Sequence, residues 1–139
     1  MTPDELAHLH QLCFKTPRPW SRAEFSDLLD SKHVFLITHQ QGFALGRLAG
    51  PEAELLTLAV HPNARRTGVG TVLMEMFEKT AVQHNVQQLF LEVSENNTAA
   101  IELYCRAGYQ DAGYRKDYYI DATGEKSSAN VMTRTLKNG

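Results

Sequence analysis

The strongest constraint on this chain lies between Glu54 and Val93. Glu54 to Val60 (ELLTLAV) reads as an apolar strand, ended by His61-Pro62. Asn63 to Gly70 is a loop rich in Arg and Gly. A helix follows in which Val69, Val72, Leu73, Met76, Phe77, Thr80 and Ala81 recur at the spacing of one helical face. Gln88 to Val93 is a strand again. A helix with one apolar stripe must bury it against another layer, so this strand–loop–helix–strand unit commits the chain to an α/β sheet architecture.

The flanking segments extend that alternation. Pro3 suits a first helical turn, and Leu6, Leu9, Leu12 and Cys13 place an apolar side on the helix it starts. Lys15 to Trp20, with Pro17 and Pro19, is a loop. Ser21-Arg22-Ala23-Glu24 is a capping box, predicting a helix to about Ser31 with Phe25, Leu28 and Leu29 inward. Strands are expected at His33–His39 and Phe43–Ala49, turning at Gln40-Gln41-Gly42. Asn97–Ala107 is a helix stopped by Gly108. Tyr109–Tyr119 and Ser128–Thr135 form a last hairpin across Asp121–Gly124, and Lys137–Gly139 should fray. The order is ααβββαβαββ. With 139 residues, the expectation is a single domain over 1–139.

Composition removes several classes. Lys and Arg number 14 against 16 Asp and Glu, a formal charge of −2, which argues against a nucleic-acid partner bound through bulk charge. No apolar run reaches the ~20 residues of a membrane helix. The acidic start, Met1 to Glu5, is unlike a signal peptide. Cys13 and Cys105 are far apart and no Cys/His cluster has metal spacing, so the expectation is two reduced thiols, no metal and a cytoplasmic protein. The six histidines show no pairing and receive no role.

Arg65-Arg66-Thr67-Gly68-Val69-Gly70 opens the strongest helix. The first N–H groups of a helix lack partners and carry the positive end of its dipole. Glycines there remove Cβ atoms and let a bulky anion reach the backbone, so a phosphate suits the site. Leu73 excludes a dinucleotide fingerprint, and Gly70-Thr71-Val72 excludes a Walker loop. Two readings stay open on these residues alone: an anion loop, or a glycine turn that lets strand and helix pack closely.

Arg65-x-x-Gly68-x-Gly70 resembles the acetyl-CoA signature of the GNAT superfamily of N-acetyltransferases, and its setting between strand and amphipathic helix is similar too. Leu91-Glu92-Val93, Asn97, Ala100, Leu103-Tyr104 and Gly108-Tyr109 resemble the ribosomal-protein-alanine N-acetyltransferases of that superfamily, as do Pro19-Trp20-Ser21 and Arg115–Tyr119. The resemblance implies a mixed, mostly antiparallel splayed sheet flanked by helices; the sequence is expected to depart from it in lacking the usual first strand, because Met1 falls almost at the start of the opening helix. It implies acetyl-CoA as donor, with Leu58, Ala59 and Val60 along its pantetheine arm, Arg65, Arg66, Thr67, Gly68, Val69, Gly70 and Thr71 around its diphosphate, and Asn97 hydrogen-bonded to it. It implies Glu92 as general base, Tyr104 as general acid, a ribosomal-protein N-terminus as acceptor, and a monomer or weak dimer.

The chemistry is self-consistent. Transfer to an amine needs the neutral amine, and an α-amino group with pKa near 8 is only about a tenth neutral at pH 7. Strand alternation places Leu89, Leu91 and Val93 on one face and Phe90 with Glu92 on the other. Glu92 reads either as that base, direct or through a water, or as a solvent-facing side chain. Tyr104 reads as a proton donor to the departing thiolate or as a core anchor. An acceptor groove would draw on the loop at Pro17–Ser21 and on Asp117-Tyr118-Tyr119. Trp20 either lines it or plugs the core, and alternation allows only one of Tyr118 and Tyr119 to face it. Arg115-Lys116 reads as a solvated pair. Two other functions remain open: acetylation of a small amine such as a polyamine or aminoglycoside, and a non-catalytic acyl-CoA sensor.

Overall fold

Thr2 and Ser21 begin the first two helices by the same reciprocal device. Thr2 Oγ1 accepts from Glu5 N at 3.2 Å while Glu5 Oε1 accepts from Thr2 N at 2.9 Å, and Ser21 and Glu24 repeat the exchange at 3.2 and 3.1 Å. These capping boxes start α1 (Pro3–Cys13) and α2 (Arg22–Leu29). The computed structural model describes residues 1–14, 18–121 and 123–136. Residues 15–17 of the loop expected at Lys15–Trp20, among them Pro17 of the expected acceptor loop Pro17–Ser21, residue 122 of the last hairpin and the tail at 137–139 lie outside the described residues.

The buried side of α1 differs from the expectation. Leu12 is exposed, and His10 takes its place with Leu6 and Leu9. Leu6, Leu9, His10 and Cys13 form an i, i+3, i+4, i+7 stripe, and Leu12 sits off it. Phe25 of α2 is fully buried, with Leu28 and Leu29 partly buried against the same cluster.

Six strands follow: β1 (Val34–His39), β2 (Gly42–Ala49), β3 (Glu52–Val60), β4 (Gln88–Ser94), β5 (Gln110–Ile120) and β6 (Lys126–Thr135). Their order in the sheet is β1-β2-β3-β4-β6-β5. Every pairing is antiparallel except β3 with β4. Helices α3 (Val69–Gln83) and α4 (Thr98–Arg106) complete the order expected from the sequence, and α1 is the first described element. One core lies between α3 and the sheet, built on Leu73, Phe77, Ala81, Leu89 and Leu91; the other lies under α1 and α2, built on Leu6, Phe25, Phe43 and Leu45. Among the described residues no helix is long and apolar enough to cross a membrane.

Two irregularities shape the middle of the sheet. First, β3 and β4 pair only from Glu52↔Gln88 to Leu55↔Leu91. Beyond that point β3 continues to Val60 and β4 to Ser94 with no ladder between them, so the sheet opens at the carboxyl ends of its two parallel strands. Second, the β2–β3 register slips between Leu45 and Gly46, so that Leu45 faces Thr57 and Gly46 faces Leu55. Leu56 is the extra residue of this bulge. Ala53 and Leu55 belong to the α3 core, whereas Leu56 and, through His10, Thr57 both turn to the α1 side.

The stripe of α3 is also narrower than expected. Val69, Leu73, Phe77 and Ala81 are buried, but Val72 and Met76 are exposed and Met74 is buried in their stead. Met74 shares its flank with Gly70, and α4 covers that flank: a Cβ on Gly70 would meet Leu103 Cδ2 at 3.0 Å. The 72/76 flank points the other way. Gly70 therefore serves helix–helix packing.

Candidate active site

The mouth of the β3–β4 opening is the turn before α3. Thr67 Oγ1 donates to Ala64 O and folds the turn back on itself. Arg66 and Gly68 both have positive φ, 64° and 89°. Gly68 is the N-cap of α3 and offers no side chain to the first helical N–H groups. A Cβ built on Gly68 meets nothing within 4 Å, so open space lies before those amides. Arg65, Arg66 and Thr67 are exposed around it and Val69 is buried beneath. Thr71 is exposed one turn on. This arrangement meets what a diphosphate requires: unpartnered amides, a dipole end, nearby cations and room.

Along the opening, the side chains of Leu58 and Val60 pack into the α3 core and Ala59 into the α1 core. What remains towards β4 is main chain, the form in which these residues were expected to act. Cys13 Sγ donates to Val60 O at 3.2 Å and lies beside Arg65. Burial pushes the Cys13 thiol up, with Arg65 opposing. Asn97 caps α4, its Oδ1 accepting from Ala100 N at 3.2 Å.

Glu92 leaves β4 on the face opposite Leu91 and Val93, with its side chain only 14% exposed. Helices α1 and α2 cover β1 to β3 on that face, and Glu92 lies beyond them. Arg115 Nη2 of β5 stands 3.3 Å from Glu92 Oε1 while its side chain stays 54% exposed, so the arginine of the expected solvated pair is turned to this carboxylate. The Tyr118 hydroxyl is turned to Glu92, and that interaction, reinforced by burial, holds the phenol's pKa above its ordinary value. The Arg115 guanidinium also lies 5.1 Å from the centre of the Tyr118 ring.

Tyr118 and Tyr119 do not take opposite faces. The β5–β6 register breaks between Arg115↔Ala129 and Tyr119↔Ser127, and Asp117 has φ 52° with its N–H donating to Ser128 Oγ at 3.1 Å. The break cancels the alternation, and the two rings meet edge to face at 5.1 Å. Burial, and then the charge of Glu92, raise the pKa of Tyr119. Tyr104 is buried, its ring 6.1 Å from that of Tyr109 and close enough to Tyr119 to act on it electrostatically. Burial pushes the Tyr104 phenol up, keeping its proton in place at neutral pH.

Trp20 is partly buried, stacked on His10 at 5.1 Å, and also lines a surface groove with Arg18, Pro19 and Ser21. It plugs the core with one side and faces the groove with the other. Its backbone N–H donates to His10 Nδ1 at 2.9 Å, and His10 Nε2 meets Thr57 Oγ1 at 3.0 Å. A peptide N–H can only donate, so the ring proton sits on Nε2 and is given to Thr57. Burial lowers the His10 pKa to about 4. His10 thus ties the groove loop to the β3 bulge. Periodicity carried a signal for it, a histidine in the 6–9–10–13 stripe. Glu54 is a second carboxylate near Tyr118 and Tyr119, paired with Arg47 at 2.7 Å; only the sheet register brings it there.

Residues 4–109 match the model of the Acetyltransferase (GNAT) family. The chain is 32% identical over 114 residues to the ribosomal protein bS18-alanine N-acetyltransferase of Escherichia coli, covering 79% of this chain and 77% of that protein. It is 31% identical over 118 residues to the Haemophilus influenzae protein of the same name, covering 82% and 80%. A crystal structure of the Escherichia coli ribosomal-protein-alanine N-acetyltransferase superposes with a TM-score of 0.85 at 27% identity, over 99% of this chain and 89% of that one. The chain belongs to the GNAT acetyltransferase family.

Proposed function

We propose that this protein moves the acetyl group of acetyl-CoA to the N-terminal amine of a protein, the N-terminal alanine of ribosomal protein bS18, the acceptor named for its relatives. The observation that carries the reading is the β3–β4 opening, with uncapped α3 amides at one end and Glu92 on its acceptor side. Acetyl-CoA supplies the thioester. Main chain at Leu58, Ala59 and Val60 lies along its arm and donates to the carbonyl oxygen as charge develops there. Arg65 to Thr71 hold the diphosphate, and Asn97 adds a side-chain hydrogen bond.

Glu92 takes the proton of the attacking ammonium, directly or through a water. The amine nitrogen bonds the carbonyl carbon, the carbon–sulfur bond breaks and Tyr104 gives its proton to the thiolate; the second proton of the amine leaves the new amide nitrogen and restores the phenol, and Glu92 releases the first to solvent. Each proton transfer by a positioned side chain contributes ~10²–10⁴-fold. Tyr118 and Tyr119 face the acceptor amine beside Glu92, and Trp20 contacts the acceptor chain from the groove it shares with Arg18, Pro19 and Ser21.

The test is labelled acetyl-CoA with a panel of Ala-initiated peptides, other N-terminal peptides, polyamines and aminoglycosides. Label on the Ala-initiated peptides supports the reading; label on the small amines alone replaces it with small-amine transfer. Tyr104→Phe removes one buried oxygen and should cut kcat roughly 10²-fold with acetyl-CoA affinity and Tm kept. A native kcat would make Tyr104 a core anchor. Gly68→Val places a branched side chain at φ 89° in front of the α3 amides. The strain costs stability about 1–2 kcal/mol, while acetyl-CoA affinity should fall roughly 10- to 100-fold, the worth of a charge-assisted hydrogen bond. Calorimetry reads this directly, and unchanged affinity would take the turn out of the donor site.

A further inference from the structure

We propose that Arg115 closes the acceptor position in the acceptor-free protein, and that the incoming amine takes its place against Glu92. This rests on the acceptor reading and adds to it a competition between two cations for one carboxylate.

Three observations converge on Arg115. Its guanidinium engages the groups an acceptor would need, standing 3.3 Å from Glu92 and over the ring of Tyr118, whose hydroxyl is turned to the same carboxylate. Second, its hold is loose: Arg18–Glu24 and Arg47–Glu54 close to 2.8 and 2.7 Å. The Arg115 side chain is 54% exposed against 14% for Glu92, so a long flexible arm reaches in from solvent onto a nearly buried anion. Third, Arg115 is the last paired residue of β5 before the ladder breaks, and the next pair is Tyr119↔Ser127. The backbone beyond it is therefore not tied to β6 at each step.

The exchange is favourable on electrostatic grounds. Removing a partner from a buried charge is costly, because the charge is left uncompensated. An α-ammonium entering as the guanidinium leaves replaces one monocation by another, so Glu92 keeps a counter-charge throughout. Once the acetyl group has been transferred and both protons have left the nitrogen, the product is a neutral amide with no claim on Glu92, and Arg115 returns. Arg115 is here a positioning residue: it sets how open Glu92 is and exchanges nothing with the reacting atoms.

The test compares native protein with Arg115→Gln, using acetyl-CoA and an Ala-initiated peptide. Loss of the competing cation should lower the acceptor KM roughly two- to fivefold, the worth of a partly exposed ion pair, and leave the acetyl-CoA KM unchanged. A residue needed only for folding would not lower one KM and leave the other unchanged. An acceptor KM that rises in the variant would show that Arg115 binds the acceptor, and one that stays the same would show that it does not compete; either overturns the proposal. A native protein that acetylates no N-terminal peptide overturns the acceptor reading itself, a different outcome from a working enzyme with an unmoved KM.

Discussion

Glu92→Gln should lower kcat by about 10²–10⁴-fold with little change in the KM for acetyl-CoA. The substitution keeps the shape of the side chain and removes only its basicity. Its neighbours Leu91 and Val93 stay buried in the α3 core, so β4 and its ladder to β6 are untouched. Stability should change little, because the Glu92–Arg115 pair is partly solvated, and the Tyr118 hydroxyl keeps an oxygen acceptor in the amide. The loss falls on the chemical step, because the second carboxylate near these tyrosines, Glu54, is already paired with Arg47 at 2.7 Å. Steady-state kinetics with saturating acetyl-CoA separates the terms. A variant that turns over at the native rate would show that the proton leaves by another route and that Glu92 serves the sheet alone.

Acid should weaken the fold through His10. Its pKa is lowered from 6.5 to about 4 because the ring is buried among Phe14, Trp20 and Phe25, with Glu24 opposing the shift only weakly. Protonation also requires a hydrogen on Nδ1, which would face the donating N–H of Trp20. Between pH 6.5 and 4 the unfolded chain takes up this proton and the folded chain does not. Stability is therefore full above pH 6.5 and falls as pH drops towards 4. At about 1.4 kcal/mol per pH unit, a lowering from 6.5 to about 4 amounts to about 3 kcal/mol.

Urea unfolding at pH 7, 5.5 and 4.5 measures the loss, and the difference from His10→Phe isolates it. Glu24, lowered to about 2 by Arg18, loses its contribution at lower pH, between about 4.5 and 2. His10→Phe should be less stable at pH 7 by about 1–3 kcal/mol for each polar partner left alone, Trp20 N and Thr57 Oγ1. Its stability should be flatter in the pH 6.5–4 window. A variant with the native slope would place the acid sensitivity on another group.

The element order was readable because its signals are local. Thr2 with Glu5 and Ser21 with Glu24 cap their helices within one turn. Gly108 ends α4, and Asp121 Oδ1 organises the last hairpin by accepting from Thr123 N and Glu125 N. The Arg/Gly turn stands where its sequence put it, before a helix and after a strand. Errors arose where hydrophobicity stood in for geometry. Leu12 is apolar but off the stripe, and His10 is polar but on it, its two nitrogens satisfied by partners at positions 20 and 57. Val72 and Met76 are apolar on the flank away from α4. Arg115 is exposed, as it read, and what the local pattern did not carry is its carboxylate partner on another strand.

By itself the sequence determined the elements, their order and the uncapped turn at Gly68, since caps, stripes and the absence of a side chain act over a few residues. Only the tertiary structure decided where β3 leaves β4 after Leu55, where Leu56 bulges, and that Arg115, Tyr118 and Tyr119 converge on Glu92. The two-residue period of a strand is written in its own side chains. A break in that period is set by which partner each residue meets, and those partners lie far along the chain.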